Sequence, residues 1–305
     1  MKNILIIGGT GNVGVDILEK MYPSIYNITV LDLESRLSKK RFKKYKEFIK
    51  IIYGDIEDYQ LIQDLIQKND IVINLSGIIP PLANLSEKLS TGINYNGPKN
   101  IVDAINAVNP KCFLIQPSFI SIYGNTKNSK KNININTKTN NPEDLYSINL
   151  TRTEEYIKSN LKKYIILRLP IILTPNNYFI RHMKLNKIMD FITIDKLSDI
   201  LIEIIRTQKA IKQIYNISGF KANSNTIIEM IYKNSGDISI YNRYIYYGEY
   251  NDSKKIYEYL DMKEERIDDF ENFIMNKRIL SRYIIRFINL PKYLIYKIKK
   301  KKHIK

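Results

Sequence analysis

Seven residues, Gly8-Gly9-Thr10-Gly11-Asn12-Val13-Gly14, carry the clearest chemistry in this sequence. They follow a short apolar run, Asn3–Ile7, and lead into Val13, Ile17, Leu18 and Met21 at helical spacing. Glycines between a strand and a helix permit a tight turn, close approach of a pyrophosphate to the backbone, and close packing of helix on strand. The first helical turn then offers free N–H groups and the positive end of its dipole to the phosphates. Asp32 ends the next apolar run, eighteen residues after Gly14. A carboxylate there accepts from both ribose hydroxyls of NAD and repels the 2′-phosphate of NADP. Arg36 and Lys39–Arg41 follow closely and would offset that repulsion, so the cofactor reading is NAD, with NADP admitted.

Such a turn needs a parallel sheet to hold it. Asn3–Ile7 is apolar on both faces, as a strand covered on both sides must be. Further strand-like runs are Ile28–Leu31, Phe48–Tyr53, Ile71–Leu75, Phe113–Ile115, Tyr164–Leu169 and Ile214–Ile217. Helical periodicity falls between them at Tyr59–Gln67, Asn96–Asn106, Leu145–Leu161 and Lys196–Thr207. This alternation predicts an α/β fold, a doubly wound parallel sheet of the Rossmann type. The expected organisation is a nucleotide-binding domain over 1–219 with a substrate-lobe segment inserted at about 176–190. A small, more polar lobe over 220–276 and a basic amphipathic tail over 277–305 complete it. The stretch Lys127–Asn141, with six Asn and four Lys, predicts a mobile loop.

Composition narrows the field. The 305 residues are 44% apolar and 26% charged, the balance of a globular protein. No apolar run approaches the ~20 residues of a membrane span. A single cysteine, Cys112, excludes a disulfide framework, and with only His182 and His303 beside it no common zinc site is expected, so the metal expectation is none. The apolar stretch before the glycines is too short for a secretory signal, so a reducing cytoplasm is expected. Net charge is +17, but 277–305 hold eleven Lys and Arg and no acid, leaving +6 on the first 276 residues. A second basic cluster runs from Arg36 to Lys50. Charge gathered this way argues against a nucleic-acid-binding protein.

The spacing Gly8-x-x-Gly11-x-x-Gly14 resembles that of the extended short-chain dehydrogenase/reductase family, the NAD-dependent epimerases and dehydratases. Its other landmarks fall in order. Gly54-Asp55-Ile56 resembles the family's Gly-Asp-[Ile/Leu], which implies that Asp55 holds the adenine amino group. Leu75-Ser76-Gly77 stands where the family has Leu-Ala-Ala, and Asn94-x-x-Gly97 resembles Asn-Val-x-Gly. Ser118-Phe-Ile-Ser121-Ile-Tyr123-Gly124 resembles Ser-Ser-x-x-Val-Tyr-Gly, and Arg168-Leu-Pro170 resembles Leu-Arg-Pro. Asp190-Phe191, Tyr215-Asn216 and Asp252-Ser253-Lys254 continue the match to about residue 275. The resemblance implies cofactor contacts at Gly8, Thr10, Gly11, Asn12, Val13, Gly14, Asp32, Asp55, Ile56, Leu75, Ser76, Gly77, Asn94, Tyr146 and Pro170.

Departures from the family fall on the reacting groups. The family's site is Tyr-x-x-x-Lys with a nearby hydroxyl. Here Tyr146 is in place, but Leu150 stands where the lysine should. Positions i and i+4 share a helix face, so the family's ammonium is missing beside the phenol. Arg152, at i+6, lies about 120° away around the helix. The literal Tyr123-x-x-x-Lys127 falls at a strand end and reads as chance. The family's hydroxyl position is Phe119, flanked by Ser118 and Ser121, and Ser118 is the candidate. Met189 replaces an arginine that often meets substrate phosphates, and only fifteen residues separate Pro175 from Phe191, a short stretch for a nucleotide-sugar pocket. Arg181, His182 and Lys184 lie within it.

Two functional readings follow. In one, the chain is an NAD(P)-dependent epimerase- or dehydratase-like oxidoreductase acting on a sugar or sugar nucleotide, with Ser118 polarising the substrate and Tyr146 moving the proton. In the other it is a catalytically silent cofactor-binding sensor or assembly protein. The resemblance also implies a homodimer through Asn96–Asn106 and Leu145–Leu161. In the tail, Arg278, Arg282 and Arg286 recur beside Tyr283, Phe287 and Leu290. That pattern fits a peripheral segment on an anionic inner-membrane surface, or one packed on the protein itself or a partner copy.

Overall fold

The computed structural model describes residues 1–23, 25–124, 133–139, 142, 144–174, 186–208, 212–235 and 252–276. The tail over 277–305, the segment holding Arg181, His182 and Lys184, Lys127 and most of its Asn-rich loop lie outside these residues.

Continuous apolar runs become the buried strands. β1 (Asn3–Ile7) is followed by α1 (Asn12–Lys20), β2 (Asn27–Asp32), α2 (Arg36–Phe42), β3 (Ile49–Tyr53), α3 (Tyr59–Ile66) and β4 (Ile71–Asn74). Two short helices, α4 (Leu82–Leu85) and α5 (Glu87–Thr91), run through a π-helical turn (Gly92–Asn96) into α6 (Gly97–Val108). β5 (Phe113–Phe119) ends in a 3₁₀ turn (Ile120–Tyr123), and α7 (Leu145–Asn160) precedes β6 (Tyr164–Leu169). β7 (Ile171–Leu173), β8 (Ile188–Thr193), α8 (Ile194–Thr207), β9 (Gln213–Asn216) and β10 (Phe220–Asn223) follow. α9 (Ser224–Ser235), α10 (Lys254–Leu260) and α11 (Ile267–Asn276) close the described chain.

Seven strands form one sheet in the order β3-β2-β1-β4-β5-β6-β9. The pairs β1–β2, β2–β3, β1–β4 and β4–β5 are all parallel. Leu5, Ile7, Val72 and Leu114 on one face meet Ile62, Ile66, Ile101, Ile105 and Ile157 of α3, α6 and α7 in a single core. This is the doubly wound parallel sheet that the alternation of elements predicts. The strand order places the reversal at β1 and β4, where the carboxyl ends of such sheets open a crevice for ligands.

The chain divides into two compact units. One holds Met1–Gly124, Lys138–Arg168 and Leu197–Tyr215; the other holds Asn125–Thr137, Leu169–Lys196 and Asn216–Lys305. The second unit therefore takes three pieces of chain, where the sequence suggests a late lobe and one insertion. Its own sheet is β10-β8-β7, with Phe191 at the centre of the register, opposite Phe220 on one side and Ile171 on the other.

Candidate active site

The glycine turn is shaped by what a side chain would strike. Gly8 has φ +78°, and a Cβ there would stand 2.6 Å from the Ser76 backbone nitrogen. A Cβ on Gly14 would stand 2.5 Å from the Gly9 carbonyl oxygen, so only glycine lets α1 start this close to β1. A Cβ on Gly11 would meet only the Gly8 carbonyl oxygen, at 3.3 Å. The second glycine is thus the least crowded of the three, with one tight backbone neighbour where Gly8 and Gly14 have several closer ones.

Asp32 is tied to this turn. Its Oδ2 accepts from the Thr10 backbone N–H at 2.7 Å and the Thr10 hydroxyl at 2.6 Å, while Oδ1 accepts from Leu33 N–H at 2.8 Å. From α2, the Arg41 guanidinium donates to the Thr10 carbonyl and to Asn12 Oδ1. Lys39 pairs instead with Glu34 at 2.5 Å. The basic residues behind Asp32 are therefore partly committed, Arg41 to the turn itself and Lys39 to a neighbour.

A cavity of about 240 Å³ opens beside the turn, and nine of the fifteen expected cofactor residues line it: Gly8, Thr10, Gly11, Asp32, Asp55, Ile56, Leu75, Ser76 and Gly77. Asn12, Val13 and Gly14 belong to the first turn of α1 rather than to the cavity wall. Asn94 acts from behind: its side chain accepts from Ile78 N–H at 3.0 Å and donates to Ile78 C=O at 2.9 Å, latching the loop after β4. Pro170 lies between β6 and β7 in the second unit and lines no part of this cavity. Ile7, Leu31, Leu33, Gly54, Ile78 and Ile93 complete the wall and were not among the expected contacts. The signal for them was adjacency alone, since each sits within a residue of an expected contact or of the latching Asn94.

Tyr146 opens α7. Asp144 caps that helix through Ser147 N–H at 2.8 Å, and Asn84 of α4 accepts from Tyr146 N–H at 3.2 Å. Burial, and then the Asp144 charge, push the phenol well above its ordinary range. One turn on, Leu150 is 7% exposed and apolar. The next residue on that face is Glu154, held in a buried ion pair by Arg168 of β6 at 2.7 Å. Arg168 also donates to the Tyr123 hydroxyl at 2.6 Å, which occupies that tyrosine. Arg152 points elsewhere, lying 3.8 Å from the centre of the Tyr95 ring.

The ring that meets Tyr146 is Phe119, with centroids 6.2 Å apart. Ser118 precedes it on an extended strand and so projects from the opposite face. Its hydroxyl is buried and has no hydrogen-bond partner among the described residues, and the same holds for Ser121 in the following turn. Thus nine of the expected cofactor residues line one cavity, while Ser118 and Tyr146 come from adjoining elements and neither lines it.

A profile described as the NAD dependent epimerase/dehydratase family matches residues 4–218. Among solved structures, UDP-N-acetylglucosamine 4-epimerase from Methanobrevibacter ruminantium is 18% identical, with TM-score 0.74 over 95% of this chain and 99% of that one. The dTDP-glucose 4,6-dehydratase of Bacillus anthracis, solved with NAD, is 17% identical, with TM-score 0.72 over 90% and 94%. UDP-glucose 4-epimerase from Bifidobacterium longum, solved with NAD⁺ and UDP, is 16% identical, with TM-score 0.73 over 90% and 97%. A curated sterol-4-alpha-carboxylate 3-dehydrogenase (decarboxylating) of Candida albicans is 23% identical over 124 residues, 39% of this chain and about a third (35%) of that protein.

Proposed function

Since the chain belongs to the NAD dependent epimerase/dehydratase family, we propose that it binds NAD(H) in the cavity beside Gly8–Gly14 and acts on a sugar or sugar nucleotide. The observation that carries this reading is the joining of Asp32 to Thr10 at the mouth of a glycine turn that lines the cavity through Gly8, Thr10 and Gly11. Gly11 and the N–H groups of α1 would receive the pyrophosphate, Asp32 the adenosine ribose, and Asp55 with Ile56 the adenine. A bound nicotinamide would supply reversible hydride transfer.

What the chain itself contributes is proton handling. With its pKa pushed up by burial and with no cation at 150, the Tyr146 phenol stays protonated through the neutral range. A neutral phenol donates a proton and is a poor base. Carbonyl reduction, which ends by protonating an alkoxide, suits it better than alcohol oxidation. Ser118 is the hydroxyl assigned to polarise the substrate oxygen, on the strength of its buried, unpartnered Oγ.

A second reading is favoured by Leu150. A buried leucine in the ammonium's place suits a protein that binds the cofactor without turning it over. Titration with NADH and NADPH, followed by nicotinamide fluorescence, tests the shared premise. NADH binding should weaken at least ~10-fold in Asp32→Ala through loss of a charge-assisted hydrogen bond to ribose. Failure of the wild type to bind either cofactor ends both readings. Turnover that disappears in Tyr146→Phe excludes the silent one.

A further inference from the structure

The starting edge of the large sheet carries a pattern that cofactor binding does not use. Parallel strands all begin at one edge, opposite the carboxyl ends where the glycine turn lies. Backbone hydrogen bonds trace that edge strand by strand. Asn27 N–H donates to Lys2 C=O, Asp70 N–H to Asn3 C=O, Phe113 N–H to Asp70 C=O, Leu114 N–H to Lys163 C=O and Lys212 N–H to Tyr164 C=O. Along it, Lys2 precedes β1, Lys46 β3, Lys68 β4, Lys111 β5, Lys163 β6 and Lys212 β9. All but the half-buried Lys163 are exposed. Six of the seven strands thus have a lysine within three residues of their start.

The exception is β2, and apolar residues take that place. Tyr22 is 59% exposed and Ile25 is 76% exposed, in the chain leading into β2. Tyr22 rests edge-on against Phe48, with centroids 5.1 Å apart, which sets this apolar step beside Lys46. The acids at the edge are Asp70, which accepts from Asn3 N–H at 2.8 Å, the exposed Glu47, Glu19, which is taken up by Lys44 and Tyr45, and Glu203, which is taken up by Arg206. None of these lysines has an ion-pair partner among the described residues.

We propose that this edge is a docking face for an anionic lipid surface, with the lysines meeting headgroup phosphates and Ile25 and Tyr22 entering the interfacial layer. At a strand spacing of ~4.8 Å the row is about 30 Å long. It is a line of point charges on flexible stems; the arginine beside it, Arg206 near the end of α8, faces Tyr26 and is held by Glu203 at 2.6 Å. Lysine suits a diffuse anionic surface, whereas paired phosphate recognition favours the fixed fork of arginine. Exposed Ile25 and Tyr22 amid cations match the mixed polar and apolar demand of a bilayer interface better than that of a nucleic-acid backbone. Docked this way, the carboxyl ends of the strands, and the cofactor cavity with them, face away from the lipid.

The test is cosedimentation of the full chain with vesicles of phosphatidylcholine alone and of phosphatidylcholine with phosphatidylserine, at low and high salt. Wild type should partition onto the serine-containing vesicles at low salt and be released at high salt. The variant combining Lys2→Glu, Lys46→Glu, Lys68→Glu and Lys111→Glu should lose ~100-fold in partitioning, with thermal melting and NADH titration unchanged. Ile25→Ser should lose ~5-fold, a loss that persists across the salt range. Wild-type binding by the charge-reversed variant overturns the proposal and assigns any lipid affinity to other residues. Absence of wild-type binding overturns it too, as does displacement of the protein from vesicles by duplex DNA.

Discussion

Tyr146, Leu150 and Glu154 are spaced four residues apart on one face of α7, and their order decides how a missing charge would be restored. An ammonium placed at 150 would stand between a phenol and a carboxylate. Glu154 is already held by the guanidinium of Arg168 through two of its nitrogens, at 3.1 and 2.7 Å, so a new cation is left to Tyr146. Leu150→Lys should therefore lower the Tyr146 pKa by about 1 to 3 units, the usual effect of an opposite charge within hydrogen-bonding range. The difference in tyrosinate absorbance between Leu150→Lys and Leu150→Lys/Tyr146→Phe, followed against pH, reads this directly. A midpoint no lower than that of the difference between wild type and Tyr146→Phe would show that the lysine turns away. At this scale the sequence was candid about types and silent about partners. The absence of the lysine at 150 was plain, as was the phenylalanine at 119. That the Phe119 ring would lie against Tyr146, and that Arg41 would bind the glycine turn from α2, depended on side-chain directions that spacing alone does not fix.

Two glycines of the turn do different work. At Gly14 an added methyl meets the Gly9 backbone, which cannot yield without moving α1 away from β1. At Gly11 it meets one carbonyl oxygen at 3.3 Å. Gly14→Ala should cost about 2 kcal/mol or more of stability, as overpacking against backbone does, and abolish NADH binding with it. Gly11→Ala should melt within a degree or two of wild type yet lose most of its NADH affinity, because its methyl would occupy the space a phosphate needs. Paired urea unfolding curves and fluorescence titrations separate the two. Equal loss of stability in both variants would mean that Gly11 is as structural as Gly14. Elements of this kind were legible: β1 and β6 match the apolar runs Asn3–Ile7 and Tyr164–Leu169 residue for residue. The short strands β7, β8 and β10 were not, since β7 is only three residues long and β8 and β10 are of mixed polarity. β8 shows the difficulty. Met189, which stands where the family often has an arginine, is 4% exposed and pairs with Ala222 across the small sheet.

For the whole molecule, the response to pH should be governed by one carboxyl of the second unit. Glu265 is 8% exposed, and its oxygens accept from the Thr193 backbone N–H at 3.0 Å and from the Thr193 hydroxyl. Thr193 in turn accepts from Lys196 N–H at 3.1 Å and so caps α8. Burial pushes the Glu265 pKa up from 4.5 to about 7, a rise opposed by the Thr193 hydrogen bonds and Lys196 and aided by Asp269. The sign follows from where the proton sits. Below pH ~4.5 both folded and unfolded chains hold it, and this group adds no pH dependence. Between ~4.5 and about 7 the folded chain keeps a proton that the unfolded chain has lost, so stability falls as pH rises. Above about 7 both states are ionised and the loss levels off, on the order of 3 kcal/mol at ~1.4 kcal/mol per unit. Glu265→Gln keeps the shape of the protonated acid without the titration. Its unfolding free energy should therefore be nearly level between pH 5 and 8 where the wild type declines, and should exceed the wild type's at pH 8. Parallel slopes for the two proteins across that window would place the pH dependence on other groups and leave Glu265 ionised in the fold.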